Sequence, residues 1–208
     1  MTRYPSFMSS RLRLLRSISI LLFAISCSST TTAPSATSGR LHGDISDPVA
    51  DALSDSRVAV APDLVHATAD VSGGNITFVV LLASGTFDRQ ITRVSVLLDT
   101  DQDGSTGIRQ PDGLGADYDI DLAGTGQATI MKADAVGCAA RLPCFTAVGS
   151  APIVIVPDGM QVTVALSLLG NDEGRMSFQL NANVLVAPLT AVISDFMPDI
   201  NLPPARVQ

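Results

Sequence analysis

The chain has 208 residues, with 20 acidic against 13 basic residues and a net charge of −7. That balance speaks against a nucleic-acid partner, which is held by a basic face. Nineteen of the acids are Asp and only Glu173 is Glu, a bias toward turns, caps and cation loops that speaks against a helix-rich protein.

Arg3, Arg11, Arg13 and Arg16 make a basic start, followed by the apolar run "SISILLFAIS". The run is shorter than the roughly 20 residues of a membrane span but suits a secretory signal, predicted over residues 1–26. Ser26 then precedes a lone cysteine and a polar tract. This pattern resembles a bacterial lipobox, in which Cys27 is lipidated and becomes the new N-terminus; an ordinary cleaved signal is the alternative. Residues 27–40 read as the lipidated Cys and a tether, because "SSTTTAPSATSG" cannot bury enough apolar surface to offset chain entropy. The expected address is the bacterial cell envelope, periplasmic or cell-surface, with the membrane reached through the lipid. Nine basic and 20 acidic residues follow Cys27, so the mature chain is near −11.

Residues 41–208 suit one domain, large enough to bury roughly 70% of its unfolded surface. Apolar residues there run with period two or in short blocks separated by breakers. "LVHATADV" (64–71) alternates, "SGGN" is a turn, and "ITFVVLLA" (76–83) is apolar on both faces, as a central strand is. "TRVSVLLD" (92–99) alternates again. In "ADYDIDLA" (116–123), Tyr118, Ile120 and Leu122 point one way while Asp117, Asp119 and Asp121 point the other. "QATIMKA", "PIVIVPDG", "MQVTVALSLL" and "RMSFQLNANVLVA" continue the series, with "PDG" as a hairpin turn and one helical turn in "LSLLGNDEG". "AVISDFMPDI" adds a last strand. Eight or nine short strands with little helix predict an all-β, two-sheet antiparallel β-sandwich, jelly-roll or immunoglobulin-like. A closed barrel is the runner-up, because strands of such unequal burial fit two sheets better.

Between two of these strands lies "DTDQDGSTG" (99–107). A hard cation such as Ca²⁺ takes six to eight oxygens, and Asp-x-Asp-x-Asp-Gly brings three carboxylates around one turn. Asp99, Asp101 and Asp103 are the expected carboxylate ligands, with the Ser105 carbonyl beside them. Position 12 of a calcium hand would be Gln110 rather than an acid, and no flanking helices are apparent, so this is not an EF-hand. Asp112 is expected to close the shell, with Asp117 or Asp119 as alternatives if the next strand passes close by. Seven of the 23 residues from Asp99 to Asp121 are acidic, a density that calls for a counter-ion. The plain alternative is a solvated turn whose Asp side chains cap local N–H groups.

Cys138 and Cys144 in "GCAARLPC" read as a local disulfide, since no further soft ligand stands nearby for a metal. His42 and His66, the only histidines, read as surface residues without a sequence-local partner acid. No nucleophile elbow, zinc-protease pair or phosphate loop is present. A chain without Trp also offers few aromatic platforms for sugar rings and little apolar lining to keep a catalytic acid protonated.

Several segments, in order, resemble a poorly characterised group of bacterial secreted domains: "PDLVHATADVSGGNITFVVLLASGTFD", "VSVLLDTDQDGSTG", "GADYDIDL", "VALSLLGNDEGRMSFQL" and "DFMPDI". The group is similar, more distantly, to the β-sandwich of family 9 carbohydrate-binding modules and DOMON-type domains. The resemblance implies a ligand-binding fold and supports Asp99, Asp101 and Asp103 as loop acids. It supplies no sugar site, because the aromatic residues of those modules have no matches, and no haem site. The expectation is a non-catalytic, lipid-anchored envelope domain that binds a glycan or another envelope component, with calcium ordering one loop. A hydrolase using acids between Asp99 and Asp121 is the alternative from another class, and a purely structural surface module is the third.

Overall fold

A computed structural model describes residues 40–53, 55–140, 143–170, 173–186 and 190–208. The expected signal peptide, Cys27 and the tether as far as residue 39 lie outside the described residues. The first strands are β1 (His42–Ser46), β2 (Leu64–Ser72), β3 (Asn75–Leu82) and β4 (Thr92–Asp99). After β4 come two short strands, β5 (Ile108–Arg109) and β6 (Gly115–Ala116), then β7 (Tyr118–Ala123) and β8 (Gln127–Ala133). A five-residue helix α1 (Ala135–Ala139) leads to β9 (Phe145–Val156) and β10 (Gly159–Ala165). The chain ends on β11 (Met176–Val186), β12 (Thr190–Met197) and β13 (Ala205–Val207). No helix among the described residues is long and apolar enough to cross a membrane.

The turns follow the local chemistry. Gly73 and Gly74 adopt φ of 58° and 76° between β2 and β3, as a tight hairpin requires. Pro157 and Asp158 join β9 to β10, and Leu166–Leu169 forms the expected single helical turn, here 3-10. Asp134 caps α1 by accepting from the Gly137 N–H (2.7 Å), and Cys138 is disulfide-bonded to Cys144 across the link from α1 to β9.

The strands are antiparallel and the fold is all-β, yet the sheet is continuous rather than divided in two. Its order is β1-β2-β3-β10-β9-β8-β7-β4-β11-β12, with β13 also on β11 and β5-β6 a separate ribbon. The expected two-sheet sandwich needs a break that β9 removes. Residues Phe145–Pro152 of this 12-residue strand pair with β8, and Ile153–Val156 pair with β10, so one strand carries the ladder round the corner. A register shift between Ile130 and Met131 interrupts the β8–β9 ladder before that corner. The two ends of the sheet then approach each other, giving a nearly barrel-shaped body. His42 and Gln208 exchange two backbone hydrogen bonds of 3.2 Å, and Leu64 N–H donates to Asp195 Oδ2 (2.6 Å).

Alternate residues of β2, β3, β4, β7 and β10 fill the interior, whereas β9 contributes only Ala151 and Ile153. Phe78 and Phe178 meet edge to face at the centre of the interior, with ring centroids 5.8 Å apart. Around them pack Ile76, Val80, Val96, Leu98, Ile120 and Met160, all fully buried. Each such side chain contributes roughly 1.5–3 kcal/mol by leaving water. The uneven burial along β4 and β7 has a different source: Leu97, Leu114 and Ala116, with Ile108 and Phe145, form a small second cluster on the outer face. It is the β4–β7 connection, with its small β5–β6 ribbon, that covers this face.

Candidate metal centre

β4 and β7 are adjacent and antiparallel, with Leu98 opposite Tyr118. Asp99 is the last residue of β4 and Asp117 immediately precedes β7, so the pairing alone brings these two acids together. The Asp117 N–H donates to the Leu98 carbonyl (2.7 Å). Asp101 lies two residues beyond Asp99, and the three side chains each offer a carboxylate oxygen within 4.8 Å of the others. That separation is within reach of one metal ion.

The connection between them folds back tightly. A Cβ on Gly104 would collide with the Gly113 carbonyl oxygen, so no larger residue fits there without moving backbone. A Cβ on Gly107, at φ 60°, would likewise meet the Ala116 carbonyl oxygen, at 2.5 Å. Thr100 donates to Asp117 Oδ2 from both its N–H (3.0 Å) and its hydroxyl (2.9 Å). Thr106 Oγ1 donates to both Asp101 oxygens, at 3.2 and 3.0 Å. The Asp103 N–H lies between Asp99 Oδ1 (3.1 Å) and Asp101 Oδ1 (2.9 Å). Asp99 is 3% exposed, and burial, contact with Asp101 and the nearby Asp101 and Asp117 charges push its carboxyl up to about 6, against the pull of the Gly115 N–H. Among the described residues no Lys or Arg forms an ion pair with any of the three. Lys132 lines the same open depression, of about 460 Å³, with its Nζ 6.0 Å from the Tyr118 ring centre.

The carboxylates of Asp103 and Asp112, also expected as ligands, are not part of this group of three. Asp103 Oδ1 accepts from Ser105 N–H (3.0 Å) and Oγ (2.6 Å), which holds its carboxyl below the ordinary value. Asp112 accepts from the Leu114 N–H (3.4 Å) and, with the Gln179 amide turned so that its nitrogen faces the carboxylate, from Gln179 as well. Asp112 instead borders a small groove of about 120 Å³, whose walls include Gln110, Gln179, Asn181, Ile193 and Phe196.

Two arrangements were invisible at local sequence spacing. Strand pairing sets Ser46 opposite His66, with Ser46 Oγ 3.1 Å from His66 Nδ1 and Asp44 Oδ2 3.5 Å from Nε2. His42 Nδ1 likewise meets Asp70 Oδ1 at 2.9 Å, so both histidines have partner acids supplied by the register. The larger omission is a group of five acids where the ends of the sheet meet. Asp47 and Asp51 lie between β1 and β2, Asp63 just before β2, Asp195 in β12 and Asp199 just beyond it. Their oxygens form two overlapping groups, Asp47–Asp51–Asp199 and Asp51–Asp63–Asp195, each within 4.8 Å. Burial first, then the neighbouring acids, pushes Asp47 up to about 7. Burial also lifts Asp195 to about 6 against the pull of the Leu64 and Phe196 N–H groups. No spacing signal could have found this group, because its members span 153 residues.

No known family model matches the chain, and no curated protein matches it.

Proposed function

We propose that the protein is a lipid-anchored bacterial envelope module that binds a glycan or another envelope component without catalysis, with a calcium ion ordering the loop from Asp99 to Asp117. The observation that carries the reading is the convergence of Asp99, Asp101 and Asp117 in a tight loop, with no ion-paired Lys or Arg among the described residues. Hard carboxylate donors suit calcium better than a soft metal, and neither His nor Cys belongs to the group. The same loop supplies Gln110 and Asp112 to the groove completed by Gln179, Asn181 and Phe196. Amides and a carboxylate beside an aromatic ring are groups that hold hydroxyl-rich ligands. Calcium would thus act on binding indirectly, by fixing one wall of that groove. Retention on insoluble polysaccharides, compared in calcium and in EDTA, tests the reading. A calcium-dependent retention that Asp101→Asn removes supports it, and no retention above background leaves a purely structural module.

One observation favours the hydrolase reading. Asp119 is 8% exposed, its Oδ1 has no hydrogen-bond partner, and burial followed by the Asp121 charge pushes it up to about 7. A carboxyl protonated near neutral pH is what a general acid requires. Hydrolysis of a glycan by the wild-type chain, lost in Asp119→Asn with the fold intact, would displace the binding reading.

A further inference from the structure

We propose a second cation site where the ends of the sheet meet, in which Asp51, Asp63 and Asp195 hold a hard divalent cation, with Asp47 and Asp199 flanking it. The ion would clasp the segment from Asp47 to Asp63 against β12. The site shares no residue with the loop between β4 and β7, so it stands or falls separately.

Acids gathered on a surface need no ion, but these are not all on the surface. Asp63 is 3% exposed and Asp195 4% exposed. Asp63 Oδ2 accepts from the Ala50 N–H (2.7 Å), whereas Oδ1 is buried with no hydrogen-bond partner at all. Asp47 Oδ2 is a second buried oxygen without a partner. Buried polar groups are ordinarily satisfied, and an orphaned carboxylate oxygen beside two other carboxylates is the arrangement that a cation completes. Asp195 is already oriented for this, because Leu64 N–H (2.6 Å) and Phe196 N–H (2.9 Å) fix its two oxygens and leave each a free lone pair. No Lys or Arg among the described residues forms an ion pair with any of the five.

The donor set defines the chemical class. Every donor is a carboxylate oxygen, which fits calcium, magnesium or manganese and gives zinc or copper none of the nitrogen or sulfur they favour. Solvent reaches the group through a depression of about 420 Å³ bordered by Asp51, Leu53, Asp195, Phe196 and Asp199.

The position explains what such an ion would do. Between β2 and β12 the sheet has no regular ladder; Leu53 N–H to the Ser194 carbonyl (2.5 Å) and Ser194 Oγ to the Pro62 carbonyl (3.2 Å) are among the few bonds across. An ion bound to Asp51 and Asp63 on one side and Asp195 on the other adds a cross-link at this point.

Two exposed arginines report on the two sites separately, Arg57 in the clasped segment and Arg109 in the β4–β7 connection. The purified full chain, stripped with EDTA, is treated with trypsin with and without calcium, and bound calcium is counted by equilibrium dialysis. Calcium should slow cutting at Arg57 by about tenfold, the signature of a local opening made rarer. Asp51→Asn should lose that protection and one bound ion while keeping the protection at Arg109. Asp101→Asn should do the reverse, so failure of the loop reading and failure of this one are distinguishable. Should Asp51→Asn fold poorly by circular dichroism, Asp195→Asn, at another of the three ligands, repeats the test. The proposal is overturned if calcium leaves the rate at Arg57 unchanged in the wild type, or if the folded variant binds as many ions as the wild type.

Discussion

Asp99 and Asp117, 18 positions apart in the chain, stand side by side because the strands that carry them pair with Leu98 opposite Tyr118. Like charges so placed repel one another. The contact is kept because the connection between them is tied down by Thr100, Thr106 and the Asp103 N–H. The acids are therefore held together before any ion arrives, a preorganisation that lowers the ordering cost of binding.

Calcium should raise the thermal midpoint of the chain. A site with a dissociation constant near 10⁻⁵ M adds roughly 2–3 kcal/mol at 1 mM ion by mass action. For a domain of this size that is a shift of several degrees between calcium and EDTA. Asp101→Asn should remove the share due to the loop, since Asp101 is exposed and its loss leaves the core untouched. Coincident wild-type curves in calcium and EDTA would leave the acids as a solvated turn.

Gly104→Ala tests the same loop without touching a carboxylate. The new methyl meets the Gly113 carbonyl, so the backbone must shift, at about 1–3 kcal/mol. The expected outcome is a weaker calcium response in differential scanning calorimetry, together with a lower midpoint in EDTA. A variant with the wild-type response would show that the close approach is not needed to align the acids.

Opening the disulfide tests a purely structural expectation. Cys138 and Cys144 close a loop of six-residue separation, worth roughly 2 kcal/mol on the chain-entropy model. The double variant Cys138→Ser/Cys144→Ser should lose about that much in urea denaturation while keeping its calcium response, because neither residue touches either acid group. Loss of the calcium response in this variant would tie α1 to a metal site.

Strand positions were legible in the sequence because side chains alternate with a period of two, and the hairpin turns because Gly and Asp announce them. Tyr118, Ile120 and Leu122 face the core as read, and Asp119 and Asp121 the other way. Closure of the sheet was legible only as the runner-up to the sandwich. It depends on β9 changing partners from β8 to β10, and a strand's sequence does not name its neighbours. The outer burial of Leu97 arises from the folded-back connection, which no period in β4 announces. The same distinction runs through the acids. Asp99 and Asp101 were found by spacing, and Asp117 was foreseen only if the next strand passed close by. Asp63 and Asp195 carried no local signal, since only closure brings them together.

Arg93 and Asp121 give a prediction in pH. Arg93 Nη1 lies 3.1 Å from Asp121 Oδ2 across β4 and β7, with the Arg side chain 39% and the Asp side chain 22% exposed. Burial raises the Asp121 carboxyl above its ordinary value of 3.8, and Arg93 opposes the rise. Arg93→Met removes the opposition, so the carboxyl rises further in the folded state while its unfolded value stays put. An acid that binds its proton more tightly when folded is destabilising while ionised, and that penalty fades as pH falls through the folded value toward the unfolded one. The variant should therefore lose stability at pH 8, by about 1–2 kcal/mol for a half-buried pair. The loss relative to wild type should shrink as the buffer is taken down toward pH 5. Comparing the two chains at each pH by urea denaturation in EDTA cancels the titration of the other acids, which both share. Equal losses at pH 8 and pH 5 would mean that Arg93 contributes packing by its stem alone and that its charge does nothing for Asp121.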